Sequence, residues 1–284
     1  MALLKKIIKV PLVLIENIVF TAFPSARGII EKYIFNPYQF NEKHLAYSKN
    51  QFNDFVKKIG GMDKIKNKTI LELGPGGSIG FGILALKNGA SNYLTIDDGI
   101  HTFITKKQLS WYMKLANNDK DFIKKIFTRK NNKYQYNKDK IKFISIDQRS
   151  KYSLPDNSVD FIYSCAVLEH VHNLDLCFSE MSRVLKSGGI MNHQVDLRDH
   201  IFSQDSLWFL NINNLWFDLL FKHTGEYVNR KRISYYHNLI KQNFLHTIDL
   251  TDDITYKETP PKILTKIYSK NDLKILSFNL TVKK

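Results

Sequence analysis

Residues 69–80 read Thr69-Ile-Leu-Glu72-Leu-Gly74-Pro-Gly76-Gly77-Ser78-Ile-Gly80. A short apolar run, a burst of glycine and a fresh apolar start predict a β-strand, a tight turn and the first turn of a helix. Glycine accepts positive φ and lets the backbone approach a ligand closely. The opening turn of a doubly wound sheet is where nucleotide-like cofactors bind. An acidic side chain at the end of the next strand can hold ribose hydroxyls. Asp97 stands there, in Leu94-Thr-Ile-Asp97-Asp98, with Asp98 as second choice.

The spacing narrows the ligand. The third glycine of a dinucleotide fingerprint falls on Ile79, so that fingerprint fails. Glu72 lies two residues before the first glycine. A carboxylate there repels a pyrophosphate and favours a ligand carrying an ammonium and a sulfonium.

Outward from the turn, apolar runs at 69–73, 93–96, 141–146, 159–164 and 189–195 alternate with helix-period segments at 79–88, 102–116 and 174–185. That alternation predicts βαβ units and a mostly parallel sheet. Residues 118–138 are polar and basic and read as a surface insertion. Residues 197–230 are rich in Phe and Trp and read as a second insertion. A helix near 232–243 and strands near 245–250 and 273–282 follow. Before the sheet, Leu45, Phe52, Phe55, Val56 and Ile59 recur at helical spacing, up to Gly60-Gly61. Four units are expected: an N-terminal helical extension (1–60), a cofactor-binding core (61–196), an aromatic lid-like insertion (197–231) and a C-terminal helix and strands completing the sheet (232–284).

Glu72-x-Gly74-x-Gly76 resembles the first motif of the class I S-adenosylmethionine-dependent methyltransferases. The likeness continues in order through Asp147-Gln148, the 154–164 stretch, the segment around Glu169-His170-Val171, and Arg183-Val-Leu-Lys186-Ser-Gly188-Gly189. It covers roughly residues 60–200. It implies an α/β fold: a Rossmann-like doubly wound mixed sheet of about seven strands with helices on both faces, here with N-terminal helices and a helical insertion. It also implies S-adenosyl-L-methionine as cofactor. On this resemblance Glu72 and the Gly74–Gly76 backbone hold the methionine end and Asp97 the ribose. Asp147 meets the adenine, Gln148 lies beside it, and Ser164 adds backbone contacts.

Methyl transfer is an in-line displacement, and a hydroxyl nucleophile usually needs a base. Such a base should lie beyond the carboxyl ends of the strands. His193, leaving the fifth strand of the core, is the preferred candidate, with Asp196 to orient it. His170, in Glu169-His170, is the second. The His193, Asp196 and His200 grouping has ligand-type side chains, but one loose cluster is not a metal site, and none is assigned. Trp208, Trp216 and Phe217 are candidates to close over an acceptor. Trp208, Arg230 and Tyr235 are candidate acceptor contacts, and Arg230 or Arg232 could pair with an anionic one.

The bulk properties bound these readings. The chain has 284 residues, 43% hydrophobic and 24% charged, which describes a globular protein with a real core. A net charge of +15 suits an anionic partner, but the lysines are scattered and no nucleic-acid module accompanies them. Lys5, Lys6 and Lys9 precede an apolar stretch interrupted by Pro11, Glu16 and Asn17. That segment is too short and polar to span a bilayer. It reads as a helix that packs on the protein or lies on a membrane surface. Two cysteines, Cys165 and Cys177, make neither a CxxC pair nor a disulfide framework, so a reducing, cytoplasmic setting is expected, extending to the inner membrane face. Cys165 reads as a small core residue. The acceptor expected is a small molecule, sugar or lipid-linked group. RNA methylation, a non-catalytic scaffold and a nicotinamide oxidoreductase are the competing readings.

Overall fold

A computed structural model describes residues 2–23, 40–97, 104–130, 133–145, 151–200, 206–224, 227–243 and 245–284. Helices α1 (Ala2–Ala22) and α2 (Glu42–Lys58) precede the first strand, β1 (Thr69–Leu73). Then come α3 (Gly80–Lys87), β2 (Asn92–Asp97), α4 (Lys106–Leu115) and α5 (Lys120–Ile126). A small hairpin, β3 (Phe127–Lys130) with β4 (Lys133–Tyr136), leads into β5 (Ile141–Ser145). The chain continues through β6 (Val159–Cys165), α6 (Leu174–Val184), β7 (Leu185–Asp196) and α7 (Asn214–Phe221). It ends with α8 (Ile233–Gln242), β8 (His246–Thr255), α9 (Lys270–Lys274) and β9 (Ile275–Lys283).

Seven strands form one sheet in the order β5-β2-β1-β6-β7-β9-β8. The first five are parallel, and β9 runs antiparallel to both its neighbours. The chain moves outward from β1 to β5, then crosses back to lay β6 on the other side of β1. The strand order therefore reverses between β1 and β6, where ligands of open α/β sheets bind at the strands' carboxyl ends.

Each face of the sheet is covered, which explains the nearly continuous apolar runs. On one face Ile70 and Phe161 meet Phe55, Phe81, Trp111 and Tyr112 from α2, α3 and α4. On the other, Leu71 and Ile162 meet Phe178 and Met181 of α6 and Tyr236 and Leu239 of α8. Side chains fix the helix starts. Asn41 accepts from His44 N–H at α2, and Thr105 with Gln108 makes a capping box at α4.

The structure departs from the sequence expectations in three places. Residues 118–138 are not simply a polar excursion: α5 and the hairpin bury Ile123, Ile126, Phe127 and Tyr136 in the first core. The apolar positions were few, but they fall on one side of each short element. Strand β7 begins before the glycines, at Leu185, with a register shift against β6. The aromatic insertion packs into a third core: Phe209, Phe217 and Phe221 meet Val13 of α1 and Leu264, Leu273 and Leu276 of the C-terminal part.

Candidate active site

The 69–80 stretch folds as the glycines dictate. Gly74 and Gly76 take φ of 60° and 62°. A Cβ on Gly74 would lie 2.6 Å from a methyl of Val167, so this turn can sit against the segment after β6 only as glycine. Gly76 N–H donates to Asp97 at 3.3 Å, which ties the turn to the end of β2.

Glu72 points into the same space from β1. It is buried and accepts a hydrogen bond from the Tyr93 hydroxyl. Burial pushes its carboxyl up to about 8; the Tyr93 hydrogen bond opposes that rise and the Asp97 charge adds to it.

The pocket is lined by Glu72, Gly74, Pro75, Ser78 and Gly80 from the turn and by Phe81, Trp111, Tyr163 and Cys165 from the surrounding elements. Its remaining wall is Phe40 and one face of α2: His44, Tyr47, Ser48 and Gln51. Phe81 and Tyr163 stack with centroids 4.1 Å apart, and the Tyr163 hydroxyl donates to Gln51. Trp111 Nε1 donates to the Asn41 carbonyl at 3.1 Å, pinning the start of α2. A Cβ on Gly80 would fall 2.6 Å from Ser48 Oγ, so α2 lies directly on the helix start. At the pocket's far side the Tyr47 hydroxyl is 3.2 Å from Cys165 Sγ, which donates to Gln194 at 3.0 Å. A polar chain continues outward: Gln194 donates to Asp253 at 3.4 Å, as does Asn279 at 2.6 Å.

Four of the seven proposed cofactor residues, Glu72, Gly74, Gly76 and Asp97, lie together at the carboxyl ends of β1 and β2. Ser164 is adjacent in β6, paired in register with Leu73, but its side chain faces the opposite core. Asp147 and Gln148 lie outside the described residues, as does Asp98.

The catalytic and acceptor candidates fall elsewhere, and the structure corrects their placement. His193 is 0% exposed, and its Nδ1 is 2.7 Å from Ser164 Oγ. It shares with Met191 and Val195 the face covered by α6, so strand pleating turns it away from the pocket. Burial pulls its pKa down to about 3. Asp196 does not orient it: that carboxylate accepts from Arg198 at 2.6 Å and lies 3.8 Å from His200. His170 sits in the turn after β6, with Nδ1 2.6 Å from the Tyr227 carbonyl. Trp208 packs on the third core. Arg230 donates to the Ile212 carbonyl and lies 4.1 Å over the Phe217 ring. Tyr235 donates to Asp175. Arg232 is buried and donates to the carbonyls of Asp272, Leu197 and Ile275 at 2.9, 2.7 and 2.6 Å. It staples the end of β7 to the start of β9.

Sequence reading missed the α2 wall; Cys165 packs against the first core, as expected, and also lines the pocket. The signal was present: Phe40, His44, Tyr47, Ser48 and Gln51 recur at helical spacing beside the apolar stripe. Nothing in the pattern said which element that face would meet.

The sheet order, the glycine turn and the acidic pair Glu72 and Asp97 are the arrangement that the resemblance to the class I S-adenosylmethionine-dependent methyltransferases implies. The chemistry fits that cofactor: a buried carboxylate for an ammonium, a half-buried glycine turn, and aromatic walls. Residues 115–192 match the family model described as a methyltransferase domain. A sterol 24-C-methyltransferase of Gibberella zeae is 39% identical over 69 residues, which are 24% of this chain and 18% of that relative. The chain thus spans about a fifth of the length of the curated relative it matches. Among solved structures, geranyl diphosphate C-methyltransferase of Streptomyces coelicolor is 15% identical, with 83% of this chain and 77% of that chain covered at a TM-score of 0.48. A putative sarcosine dimethylglycine methyltransferase of Galdieria sulphuraria is 14% identical, with 83% and 85% covered at a TM-score of 0.48.

Proposed function

We propose that this chain transfers a methyl group from S-adenosylmethionine to a small-molecule acceptor entering beside Cys165 and Gln194. The observation that carries the reading is the buried Glu72 carboxylate, facing a pocket lined by Gly74 and Pro75 of the turn, with Asp97 held beside that turn by Gly76 N–H. When bound, the cofactor supplies an electrophilic methyl on a sulfonium. Glu72 holds the ammonium, the turn backbone takes the methionine end, and Asp97 takes the ribose hydroxyls. Phe81, Trp111 and Tyr163 exclude water, and α2 closes the pocket with Tyr47 and Gln51. Holding the nucleophile in line is the main task left to the chain. The Gln194, Asp253 and Asn279 chain gives the rim hydrogen-bonding groups suited to a hydroxyl-bearing acceptor such as a sugar or a lipid-linked sugar. His193 is set aside as base, because its ring is enclosed and too weakly basic. Calorimetry with S-adenosylhomocysteine tests the reading, with Glu72→Gln as control. No heat and no thermal shift at saturating ligand would sink it and favour a scaffold role.

A second observation bears on where the acceptor is met. Val13, Asn17 and Phe20 of α1 face inward, and Asn17 bridges to α7, donating to the Leu219 carbonyl at 2.7 Å and accepting from His223 N–H at 2.7 Å. The two helices then expose Leu12, Ile15, Ile18, Leu215, Trp216 and Leu219 together, Leu215 at 75% and Trp216 at 59%. An apolar patch of this kind marks an interaction surface. Lys5, Lys6 and Lys9 stand on the same helix. We infer that this face lies on an anionic membrane surface, at the cytoplasmic leaflet. No helix among the described residues is long and apolar enough to cross a membrane. Co-sedimentation with phosphatidylserine vesicles, reduced by Trp216→Glu and by high salt, is the expected result. Equal failure to bind anionic and neutral vesicles would remove the inference.

A further inference from the structure

Three ligand-type side chains meet outside the cofactor pocket. Glu169 and His170 belong to the 3-10 turn after β6, Leu168–His170. His200 lies four residues beyond the end of β7. One donor atom from each falls within 4.8 Å of the other two. The pair of strands brings them together at the carboxyl end of the sheet, the functional end of such folds.

The arrangement around each residue is unusual for plain packing. Glu169 is 0% exposed. One of its oxygens accepts from Asp196 N–H at 3.2 Å. The other, Oε2, has no hydrogen-bond partner among the described residues. An unpaired buried carboxylate oxygen is costly, so its retention calls for a ligand. The His170 Nδ1–H donates to the Tyr227 carbonyl at 2.6 Å. A backbone carbonyl fixing one ring nitrogen is the usual support of a metal-binding histidine. The His170 and His200 rings have centroids 5.0 Å apart, and His200 Nε2 lies 3.8 Å from Asp196 Oδ2. Two imidazoles and one carboxylate make a borderline nitrogen and oxygen donor set. That set suits zinc and its neighbours better than magnesium or calcium, and three protein ligands leave a position open.

We propose that Glu169, His170 and His200 form a binding site for a divalent transition metal of the zinc type, with an open coordination position. The open position would take a water or an oxygen or nitrogen donor of a bound small molecule. This is independent of the methyl-transfer reading, since the site shares no residue with the cofactor pocket.

The test uses the untagged full chain, stripped with a chelator and titrated with zinc against a chromophoric competitor. Cobalt is the spectroscopic probe. One equivalent should bind, with cobalt absorption bands in the visible typical of low coordination number. Glu169→Gln and His200→Ala should each weaken binding by about 100-fold or more, beyond the 10–100-fold cost of losing a supporting group. Thermal melts and S-adenosylhomocysteine binding report whether each variant is folded. Absence of stoichiometric binding by the native chain overturns the proposal, whatever the variants do. So does native-like binding by both folded variants.

Discussion

Two buried glutamates, one on β1 and one in the turn after the neighbouring β6, face different surroundings. Glu72 leaves β1 toward the pocket, with Tyr93 donating to it and aromatic walls opposite. Glu169 follows β6 and is enclosed by the end of β7 and by Asn229, whose N–H donates to the Glu169 carbonyl at 2.7 Å. Burial pushes both carboxyls up to about 8. Burial alone therefore does not tell a cofactor ligand from a group serving another purpose. What separates them is the space each faces: a pocket rimmed by the glycine turn for Glu72, a pair of histidines for Glu169.

The largest effect that sharpens this contrast is on cofactor affinity. Glu72→Gln should weaken S-adenosylhomocysteine binding by about 100-fold, roughly 2.7 kcal/mol, the scale of a hydrogen bond to a charged group. Glu169→Gln should leave that affinity within about threefold, ~0.6 kcal/mol. Equal losses in a calorimetric titration would erase the distinction.

A comparable test uses pH. The folded chain without cofactor holds a proton on Glu72 that the unfolded chain releases above its ordinary value of 4.5. Stability therefore falls as pH rises from 4.5 toward about 8, by at most roughly 1.4 kcal/mol per unit. Binding a cation requires the ionised form, so cofactor affinity should rise by up to about tenfold between pH 6 and 7, where an ammonium keeps its proton. Glu72→Gln should flatten that slope. A slope that persists in the variant would place the titrating group elsewhere.

Core residues that resembled catalytic ones should respond in stability instead. Arg232→Met strips donors from three buried carbonyls and should cost about 3 kcal/mol or more in denaturant unfolding. His193→Ala should cost about 2–4 kcal/mol through the cavity it leaves. Its turnover per folded molecule should change least of all, within about threefold, or ~0.6 kcal/mol in the barrier. A loss of 100-fold or more, with cofactor binding intact, would restore His193 as the base.

Much of this was legible in the residues. The strand-turn-helix at 69–80 needs glycine at its corners, and local backbone chemistry fixes it whatever surrounds it. Strand and helix periods likewise placed α6 and the central strands closely. His193 was misread because a polar residue at a strand end carries the same letter whether pleating turns it to the pocket or to the core. Phe209, Phe217 and Phe221 were apolar enough to form a lid, but α1 and the C-terminal segment offered them a dry surface to pack on.

By itself, then, the sequence determined the strand-turn-helix at 69–80 and its carboxylate, because glycine dihedrals and a carboxylate's charge act over a few residues. Only tertiary structure decided what closes that pocket and what faces it. Those depend on long-range packing: α2 laid over Gly80, Cys165 turned to the pocket, and His200, beyond β7, brought to Glu169 and His170 after β6.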